Sequence, residues 1–437
     1  MKIVGGKWSN WSGGVVCKPK AIVAPKDEVE LAAAVRTGAA PVRVPGAGHS
    51  FTPLNATDGT IVDLSAPTFA GLKGFDPDKK VATFGAATPL WEIGSLIQPF
   101  GCALKNMGDI DRQTLGGVVG TGTHGTGPLL GSFSAEVAGF RLLLASGQII
   151  HCSAGENAEI FAAGRTSMGT LGVMVEIAMQ VRDAYKLAEK NFLLPVDELW
   201  DRLDDLVATN RHFEFFWFPY ADVAVCKTLN ESTASVPEPR TAEYMKARGE
   251  KRAADATTFE LINEVLPYAP FLLRSAHRLF SGGMSAGDRV RWSHEILPSP
   301  RTTRFNEMEY AVPYEKGPAT IRKIVTEIRK RRINTGFPIE YRTVAADDVW
   351  LSPFYQRKSA TIAVHQYHRV NTGRLFDMCE SIFREVEGRP HWGKRHTRTA
   401  EEFAELYPKF EDFQRVREKL DPAMTFLNAH LRSIFVG

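Results

Sequence analysis

The sequence has few cysteines, no long apolar run and little net charge, and each of these absences excludes a class of protein. Its five cysteines are odd in number and show no Cys-x-x-Cys spacing, which argues against a disulfide framework and against a cysteine-based zinc site. No window reaches the roughly 18 apolar residues of a membrane span, and the N-terminus lacks the apolar core of a signal peptide. A net charge of +3 does not predict nucleic-acid binding. We therefore expect a cytoplasmic protein without a resident metal.

The size and composition predict a globular protein of more than one domain. The chain has 437 residues, which suggests two or three domains. It is 44% hydrophobic and 24% charged, values normal for a chain that builds a large core. Short strand-like runs alternate with a few helix patterns, so the fold class we predict is α+β.

A glycine-bearing loop stands at residues 45–51, between strand-like runs at 42–44 and 60–64, and reads Pro-Gly-Ala-Gly-His-Ser-Phe. Its two glycines permit positive φ and close approach to a ligand, and successive amides in such a loop can hold a pyrophosphate. A dinucleotide fingerprint would need glycine at position 51, where Phe51 stands, and Pro53 discourages the helix that should follow. The loop indicates a phosphate-bearing cofactor bound in another manner, or else an ordinary turn with an exposed histidine.

A second loop, residues 115–127, strengthens the cofactor interpretation because it contains six glycines. Each glycine costs roughly 0.5–1 kcal/mol inside a regular element, so a ligand is expected against this backbone. No Gly-Lys-Ser/Thr is present, which excludes a nucleotide-triphosphate P-loop. The alternative is a glycine-rich crossover where two sheets pack closely.

The two loops resemble the FAD-binding domain of the vanillyl-alcohol oxidase superfamily, and within it the aldonolactone oxidoreductases and their alditol oxidase relatives. Three further stretches match, at residues 8–13, 338–342 and 389–397. The resemblance runs from about residue 8 to the C-terminus and is weakest over 225–305. It implies a PCMH-type FAD-binding domain at 1–182, a substrate or cap domain with an antiparallel sheet and covering helices at 183–387, and a C-terminal segment, 388–437, that returns to the flavin site.

The resemblance also implies which residues hold the cofactor. His49 would carry the FAD covalently through an imidazole nitrogen. No cysteine occurs between 103 and 151, so a second covalent link is not expected. We interpret Asp109 and Asp111 as turn residues rather than metal ligands, and count Asp109 among the cofactor positions. The predicted cofactor-binding residues are Pro45, Gly46, Ala47, Gly48, His49, Ser50, Asp109, Thr114, Gly117, Thr121, Gly122, Gly172 and Val173.

Three residues are candidates for catalysis. Glu340 and Arg342 are two apart on a predicted strand, so both side chains share one face. A structural salt bridge is the alternative, but the family's Glu-x-Arg motif faces substrate and flavin. The resemblance places Lys394 near the flavin ring and His391 near substrate. A zinc site at His391 and His396 is not expected, because no cysteine or carboxylate stands at ligand spacing.

Periodicity and turn signals predict most of the remaining elements. His365 and His368 are expected to be structural, and residues 230–256 an exposed excursion. The predicted helices are 27–37, 88–101, 156–163, one beginning near 196, 317–332 and 373–387. The predicted strands are 42–44, 60–64, 80–86, 136–145, 148–152, 173–181, 213–218, 305–312, 337–345 and 360–368.

The function that these features indicate is oxidation of a sugar-derived alcohol, with a hydride leaving a CHOH carbon for the flavin. The family favours an aldono-1,4-lactone of L-gulono or D-arabinono type, and oxygen or a cytochrome or quinone as electron acceptor. One alternative is an alditol oxidase acting on xylitol- or sorbitol-like polyols. Those enzymes carry a serine where Val118 or Val119 stands here. The other alternative is a flavoprotein that oxidises an unrelated alcohol in a biosynthetic pathway.

Overall fold

The computed structural model describes residues 2–254, 258–284, 287–299, 301 and 303–437. Three small or medium sheets form the N-terminal part, and one large sheet forms the cap. The helices are Glu28–Thr37, Leu90–Ile97, Leu115–Thr121, Ala158–Gly164, Val196–Thr209, Ala242–Ala254, Thr258–Val265, Leu273–Met284, Ser293–Ile296, Gly317–Lys330, Gly373–Glu385, Ala400–Leu406, Phe410–Leu420 and Ala429–Phe435.

The N-terminal part carries the two glycine loops on its sheets. Lys2–Val4, Lys7–Ser9 and Val16–Cys17 form an antiparallel sheet. Ala21–Val23, Thr60–Val62 and Val42–Arg43 form a parallel one. The six-stranded antiparallel sheet runs in the order Ile149–Ser153, Val137–Leu143, Val173–Asp183, Val81–Gly85, Leu72–Asp76, with Cys102–Leu104 also paired to Val173–Asp183.

The cap is built on one eight-stranded antiparallel sheet. Its order is Arg289–Trp292, Lys186–Pro195, Val223–Ser232, His212–Trp217, Ile339–Val344, Ser359–Tyr367, Phe305–Pro313 and Arg389–Pro390. The last strand belongs to the C-terminal segment. Beyond it, the C-terminal helices place Phe403, Phe413 and Phe435 in the same core as Phe84 and Phe140 of the N-terminal part. The chain therefore leaves the N-terminal part, builds the cap and returns.

The two faces of the cap sheet are chemically different, because side chains alternate along each strand. One face is apolar and packs under the helices Val196–Thr209, Gly317–Lys330 and Gly373–Glu385. Phe215 and Tyr341 stack on that face with ring centroids 4.8 Å apart. Their neighbours Glu214, Glu340 and Arg342 point to the opposite face and are nevertheless buried. A buried charged sheet face needs partners, and it finds them in the loops of the N-terminal part.

Most predicted elements are present with shifted ends, but the second glycine loop is not a loop throughout. Residues Leu115–Thr121 form a helix, which ends at Gly122 in the left-handed region (φ +67°). The glycines allow this helix to lie close to neighbouring backbone, since the amide of Gly116 donates to Ala86 O at 2.8 Å. The glycine density of this stretch is therefore explained partly by the close packing of the helix on neighbouring backbone and partly by the cleft that the helix lines.

Two further expectations were wrong in detail. Thr88 does not cap the next helix. Its hydroxyl donates to Gly85 O at 2.6 Å, and Pro89 takes the cap position. Residues 230–256 are not simply an excursion, because they contain the end of a strand and the helix Ala242–Ala254, which packs on Leu90–Ile97. Residues 255 and 256 lie outside the described part. The strands Lys186–Pro195, Val223–Ser232 and Arg289–Trp292 were not predicted.

Candidate active site

The N-terminal part contains a cleft of about 380 Å³ whose lining is rich in glycine. The two glycine loops and a third loop at residues 167–173 form its walls. Of the predicted cofactor residues, those that line it are Pro45, Gly46, Ala47, Gly48, His49, Ser50, Thr114, Gly117, Thr121, Gly172 and Val173. Asp109 and Gly122 are not in the lining. Gly122 ends the helix Leu115–Thr121, and Asp109 is engaged with the cap.

The cleft fits a cofactor that must approach bare backbone. A Cβ atom on Gly46 would stand 2.2 Å from Thr114 Oγ1, so the two loops meet there without room for a side chain. A Cβ atom on Gly172 would stand 2.5 Å from Leu143 O, and that glycine has φ +150°. Both positions therefore require glycine, and both glycines line the cleft. Such a wall suits the phosphates of FAD.

Arg43, which was not predicted, ties the cleft together. It is buried, and its guanidinium donates to Leu54 O at 2.8 Å, Met168 O at 2.6 Å and Phe426 O at 2.7 Å. No carboxylate of the described residues lies within ion-pair distance of it, and burial lowers its pKa to about 10. A buried cation without an anion, lining a cofactor cleft, is a further feature that suits a phosphate-bearing ligand. Its signal in the sequence is weak, since arginine before a glycine loop is common.

The His49 loop is held from both sides by distant segments. The amide of Trp11 donates to Gly48 O at 2.8 Å, and the amide of Phe51 donates to Gly393 O at 2.7 Å. The indole of Trp11 stacks on the His49 ring with centroids 5.4 Å apart. Burial and the nearby Lys394 ammonium lower the pKa of His49 to about 3, so its imidazole is neutral at physiological pH. This histidine lines the cleft in the form that can act as a nucleophile.

Arg342 is the centre of the charged face of the cap sheet. Its Nε donates to Glu214 Oε2 at 2.7 Å, its Nη2 lies 3.0 Å from Asp109 Oδ2, and Nη2 also contacts Glu340. Asp109 is in addition paired with Arg301. The predicted pair Glu340 and Arg342 is therefore part of a larger network. Asp109 links that network to the N-terminal part.

Glu340 has an unusual protonation state within this network. Burial raises its pKa, and the carboxylates of Asp109 and Glu214 raise it further against the attraction of Arg342, to about 8. Glu214 is the opposite case, because Lys227, 3.0 Å from its Oε1, and Arg342 hold its pKa at about 2. The two carboxyl groups beside Arg342 thus differ in charge at neutral pH. Such a difference in pKa between neighbouring groups is typical of catalytic sites.

Lys394 belongs to a second buried cluster at the end of the same sheet. Its ammonium donates to Glu307, which with Glu309 raises the pKa of Lys394 despite burial. Its Nζ also lies 5.2 Å from the centroid of the Phe51 ring, beside the cofactor loop. The lysine therefore stays charged and stands between the sheet and the His49 loop.

His124, which sequence reasoning missed, joins the second glycine loop to this cluster. Its Nε2 lies 3.0 Å from Glu309 Oε1, and its Nδ1 lies 2.8 Å from Gly125 O. Both ring nitrogens face oxygen atoms, so the side chain is held between the second glycine loop and the cap sheet. The sequence contained His124 inside a motif already singled out, but Glu309 comes from a strand 185 positions away and gave no signal.

The other candidate histidines are placed less centrally. His391 is buried, and its Nδ1 accepts from the amide of Gly393 at 2.9 Å. Burial lowers the pKa of His391 to about 3, so it is neutral. His365 lies 3.6 Å from Glu307 and so touches the Lys394 cluster, which the structural interpretation did not foresee. His396 packs edge-on against Phe403, away from the cleft. In the described ranges no three His, Cys, Asp or Glu side chains are arranged to hold a metal ion.

Comparison with known families agrees with this geometry. A D-arabinono-1,4-lactone oxidase family model matches residues 177–434, and an FAD-binding domain model matches residues 19–153. The L-gulono-1,4-lactone dehydrogenase of Mycobacterium tuberculosis is 35% identical over 98% of both chains. The L-gulonolactone oxidase of Bos taurus is 30% identical, over 99% of this chain and 98% of its own.

Solved structures with the same fold are more distant in sequence. A cholesterol oxidase from B. sterolicum superposes with a TM-score of 0.81 at 15% identity, over 98% of this chain and 96% of its own. This likeness shows the fold, a PCMH-type FAD-binding part with an antiparallel cap.

Within the described residues, no helix has both the length and the apolarity to cross a membrane. The family match over more than half of the chain identifies the protein as a member of the D-arabinono-1,4-lactone oxidase family and an FAD-dependent oxidoreductase acting on CH–OH groups.

Proposed function

We propose that this protein oxidises an aldono-1,4-lactone of the L-gulono or D-arabinono type, using FAD bound in the glycine-lined cleft. The observation that carries the proposal is the meeting of the cleft with the charged face of the cap sheet, where Lys394 stands beside the His49 loop. The activities for which the two relatives are named support a lactone as substrate. A small, highly hydroxylated ring suits a surface of buried charges that can accept and donate hydrogen bonds.

Three side chains of the protein would each have a separate role in alcohol oxidation. When bound, the flavin accepts the hydride, which is chemistry that side chains cannot supply. Glu340, with a pKa of about 8, is poised near physiological pH and would take the proton of the reacting hydroxyl. Arg342 stays charged and holds Glu340 in place, and together with Lys394 it would stabilise negative charge that develops at the hydroxyl oxygen.

We further propose that His49 carries the FAD through a covalent bond. The support is its position in the cleft and its neutral, stacked imidazole. The test is acid precipitation of the holoprotein followed by gel fluorescence. Flavin fluorescence should remain with the polypeptide in the wild type and be lost in His49→Ala. A Trp11→Phe variant keeps a ring beside His49 and should retain the bound flavin. Fluorescence that persists in His49→Ala would place the bond elsewhere.

The substrate is tested by anaerobic reduction of the holoprotein. L-Gulono-1,4-lactone or D-arabinono-1,4-lactone should bleach the flavin absorbance, and xylitol and sorbitol should do so far more slowly. Faster bleaching by a polyol would establish the alditol oxidase alternative. That alternative is disfavoured by Val118 and Val119, both buried in the helix Leu115–Thr121. If neither class of compound reduces the flavin, the substrate is an unrelated alcohol.

The electron acceptor and the location complete the proposal. Reoxidation of the reduced protein by oxygen would define an oxidase, and reoxidation by cytochrome c or a quinone a dehydrogenase. The names of the two relatives include both kinds. We propose a cytoplasmic location, which the five free cysteines support because reducing compartments keep thiols unpaired. Cell fractionation with an antibody tests it.

A further inference from the structure

A second cavity adjoins the candidate active site, and the function proposed above does not use it. It lies between residues 14–16, the loop 51–53, the helix Gly373–Glu385 and residues 395–397, and we call it the rear cavity. Its volume is about 590 Å³, larger than the cofactor cleft and within the roughly 300–1,000 Å³ typical of sites for small organic ligands. No described residue lines both the cleft and the rear cavity. The rear cavity is therefore a separate space with room for a second molecule.

Two segments of the chain contribute to both spaces. In the cofactor loop, His49 lines the cleft, and residues 51–53 line the rear cavity. In the C-terminal segment, Lys394 binds Glu307 in the charged cluster, and residues 395–397 line the rear cavity. Consecutive Cα atoms are about 3.8 Å apart, so a short stretch of chain separates the two spaces. A molecule in the rear cavity would lie close to a flavin bound at His49.

Apolar side chains form much of the wall of the rear cavity. Phe51, Met308 and Phe376 are buried and line it. Met308 follows Glu307 on the strand Phe305–Pro313, so this strand is a third element shared with the charged cluster. Aromatic walls favour a planar ring, which can stack on a phenylalanine or meet it edge-on.

Hydrogen-bond donors without partners belong to the same lining. Arg395 is half-buried and forms no ion pair or side-chain hydrogen bond with a described residue. Both ring nitrogens of His396 and the Nε2 of His430 are buried without a hydrogen-bond partner among the described residues. Burial lowers the pKa of His396 to about 3 and that of His430 to about 4, so both imidazoles are neutral and each carries one N–H. Buried polar groups normally have partners, and a ring rotation toward the cavity would let either histidine donate to a ligand oxygen.

The charges of the lining favour a neutral ligand. Glu380 is buried and accepts hydrogen bonds from the amide and the hydroxyl of Thr397, each at 2.7 Å. Asp377 also lines the cavity and is exposed. Among the described lining residues, these two carboxyl groups stand against one guanidinium, that of Arg395, so a multiply charged anion such as a nucleotide is disfavoured. A neutral ring that carries carbonyl oxygens matches both the apolar wall and the donors without partners.

We propose that the rear cavity binds a quinone, which accepts electrons from the reduced flavin. Its ring would pack against Phe51 and Phe376, and a carbonyl oxygen would accept hydrogen bonds from Arg395. The anionic reduced flavin gives up two electrons and its N5 proton, and the quinone takes these with one proton from water to become a hydroquinone. The inference rests on the proposed function, because it requires FAD in the cleft. A small molecule is favoured over a protein acceptor because the binding groups line a concave space.

The first test is equilibrium dialysis of the oxidised holoprotein with duroquinone, a benzoquinone whose ring carbons are all substituted, so that it does not add to thiols. We expect one site per chain. Val16→Trp places a bulky side chain in the lining from a strand position that is 57% exposed, and should weaken binding at least tenfold. Arg395→Gln should weaken it about tenfold. Val29→Trp is the matched control, because Val29 is 78% exposed on the helix Glu28–Thr37 and does not line the cavity, so its binding should match the wild type.

The second test is reoxidation of the flavin after anaerobic reduction with stoichiometric dithionite. Duroquinone below saturation should reoxidise the wild type and Val29→Trp at the same rate, and Val16→Trp at least tenfold more slowly. Ferricyanide, which does not need the cavity, should reoxidise all three at one rate. Since no lactone is used, failure of the quinone proposal is separable from failure of the proposed lactone oxidation.

Three results would overturn the proposal. One is an absence of duroquinone binding to the wild type. Another is equal binding by the wild type, Val16→Trp and Arg395→Gln, which would place the quinone elsewhere. The third is binding that Val16→Trp weakens while the rate of reoxidation by duroquinone stays the same, which would make the rear cavity a site for an aromatic ligand that takes no electrons.

Discussion

The two halves of the candidate active site are built from different parts of the polypeptide. The cofactor cleft is rich in glycine, and many of its lining residues come from three short stretches of sequence, at 42–50, 112–121 and 167–174. The cap side is lined by charged side chains from separate strands, as in the contact of Arg342 with Glu214, and Asp109 joins them from a loop of the N-terminal part. The first half depends on shape, because an added atom at Gly46 or Gly172 would clash with a neighbouring segment. The second half depends on a balance of buried charges, which the removal of one charged group would disturb.

This difference predicts how each half should fail. In the cleft, the sensitive change is a small addition, because loops in van der Waals contact cannot make room. On the cap face, the sensitive change is removal of one charge, because the remaining buried charges lose their partner. Variants of opposite kinds can therefore test whether the two halves follow separate rules.

The largest effect is expected from Arg342→Met. This change would leave Glu214, Glu340 and Asp109 buried without their shared cation, and breaking a buried pair costs about 3–5 kcal/mol. The measurement is the free energy of unfolding in urea. Arg202→Met is the matched control, because Arg202 pairs with Glu198 on an exposed helix surface and such pairs contribute less than about 1 kcal/mol. Equal losses in the two variants would show that the network is not energetically special.

The next effect is on catalysis. Glu340→Gln should lower the rate of flavin reduction by about 10²–10⁴-fold, the usual contribution of a positioned base. In the wild type, that rate should rise with pH through about pH 8 and level off above it, because the pKa of Glu340 is about 8 and the carboxylate is the proton acceptor. The rise should be absent in the variant. A rate that is unchanged in Glu340→Gln would remove this residue from the mechanism.

The same group makes stability depend on pH, and the sign is fixed by the direction of the shift. The folded-state pKa of about 8 lies above the ordinary 4.5, so the unfolded chain releases this proton first as pH rises. The free energy of unfolding should therefore fall between about pH 4.5 and pH 8 through this group. Glu214 and Glu307, with pKa values of about 2, act oppositely and lose their contribution below pH 4.5. Urea titrations of the wild type and Glu340→Gln across this range measure the difference.

The two halves of the candidate active site could not be predicted equally well from the sequence. The cleft could be predicted because its glycines are grouped in short stretches of sequence, and a high glycine density indicates backbone that a ligand or another segment approaches closely. Glu340 and Arg342 could be predicted because two positions on a strand share a face. Glu214, Glu307 and Glu309 could not, since they meet the site only through strand pairings over long sequence separations, such as Glu214 opposite Arg342. Arg43 escaped notice for a related reason, because its partners are carbonyls, which every residue has.

On the cleft side, Gly46→Ala should abolish or strongly weaken FAD binding. The new Cβ would stand 2.2 Å from Thr114 Oγ1, and overpacking of this kind costs about 1–3 kcal/mol. The double variant Gly46→Ala/Thr114→Ala removes the clashing oxygen and should recover part of the flavin content of the purified protein. Gly74→Ala is the control, because a Cβ atom there meets nothing within 4 Å. A loss in the double variant equal to that in the single one would mean that the clash is not the cause.

The smallest effect tests whether charge also matters in the half built from backbone. Arg43→Gln, made in the His49→Ala background so that binding is reversible, should weaken FAD binding by about tenfold, or ~1.4 kcal/mol. Binding of riboflavin, which has no phosphate, should weaken much less. Arg389→Gln is the matched control, since Arg389 is also buried and donates to carbonyls, of Leu406 at 3.0 Å and Tyr355 at 2.9 Å, but does not line the cleft. If Arg43 only holds the loops in place, its substitution should weaken the binding of FAD and of riboflavin equally. A selective loss of FAD binding would show that the cleft depends on one buried charge as well as on its shape. The cleft and the cap face would then differ only in how strongly each depends on charge.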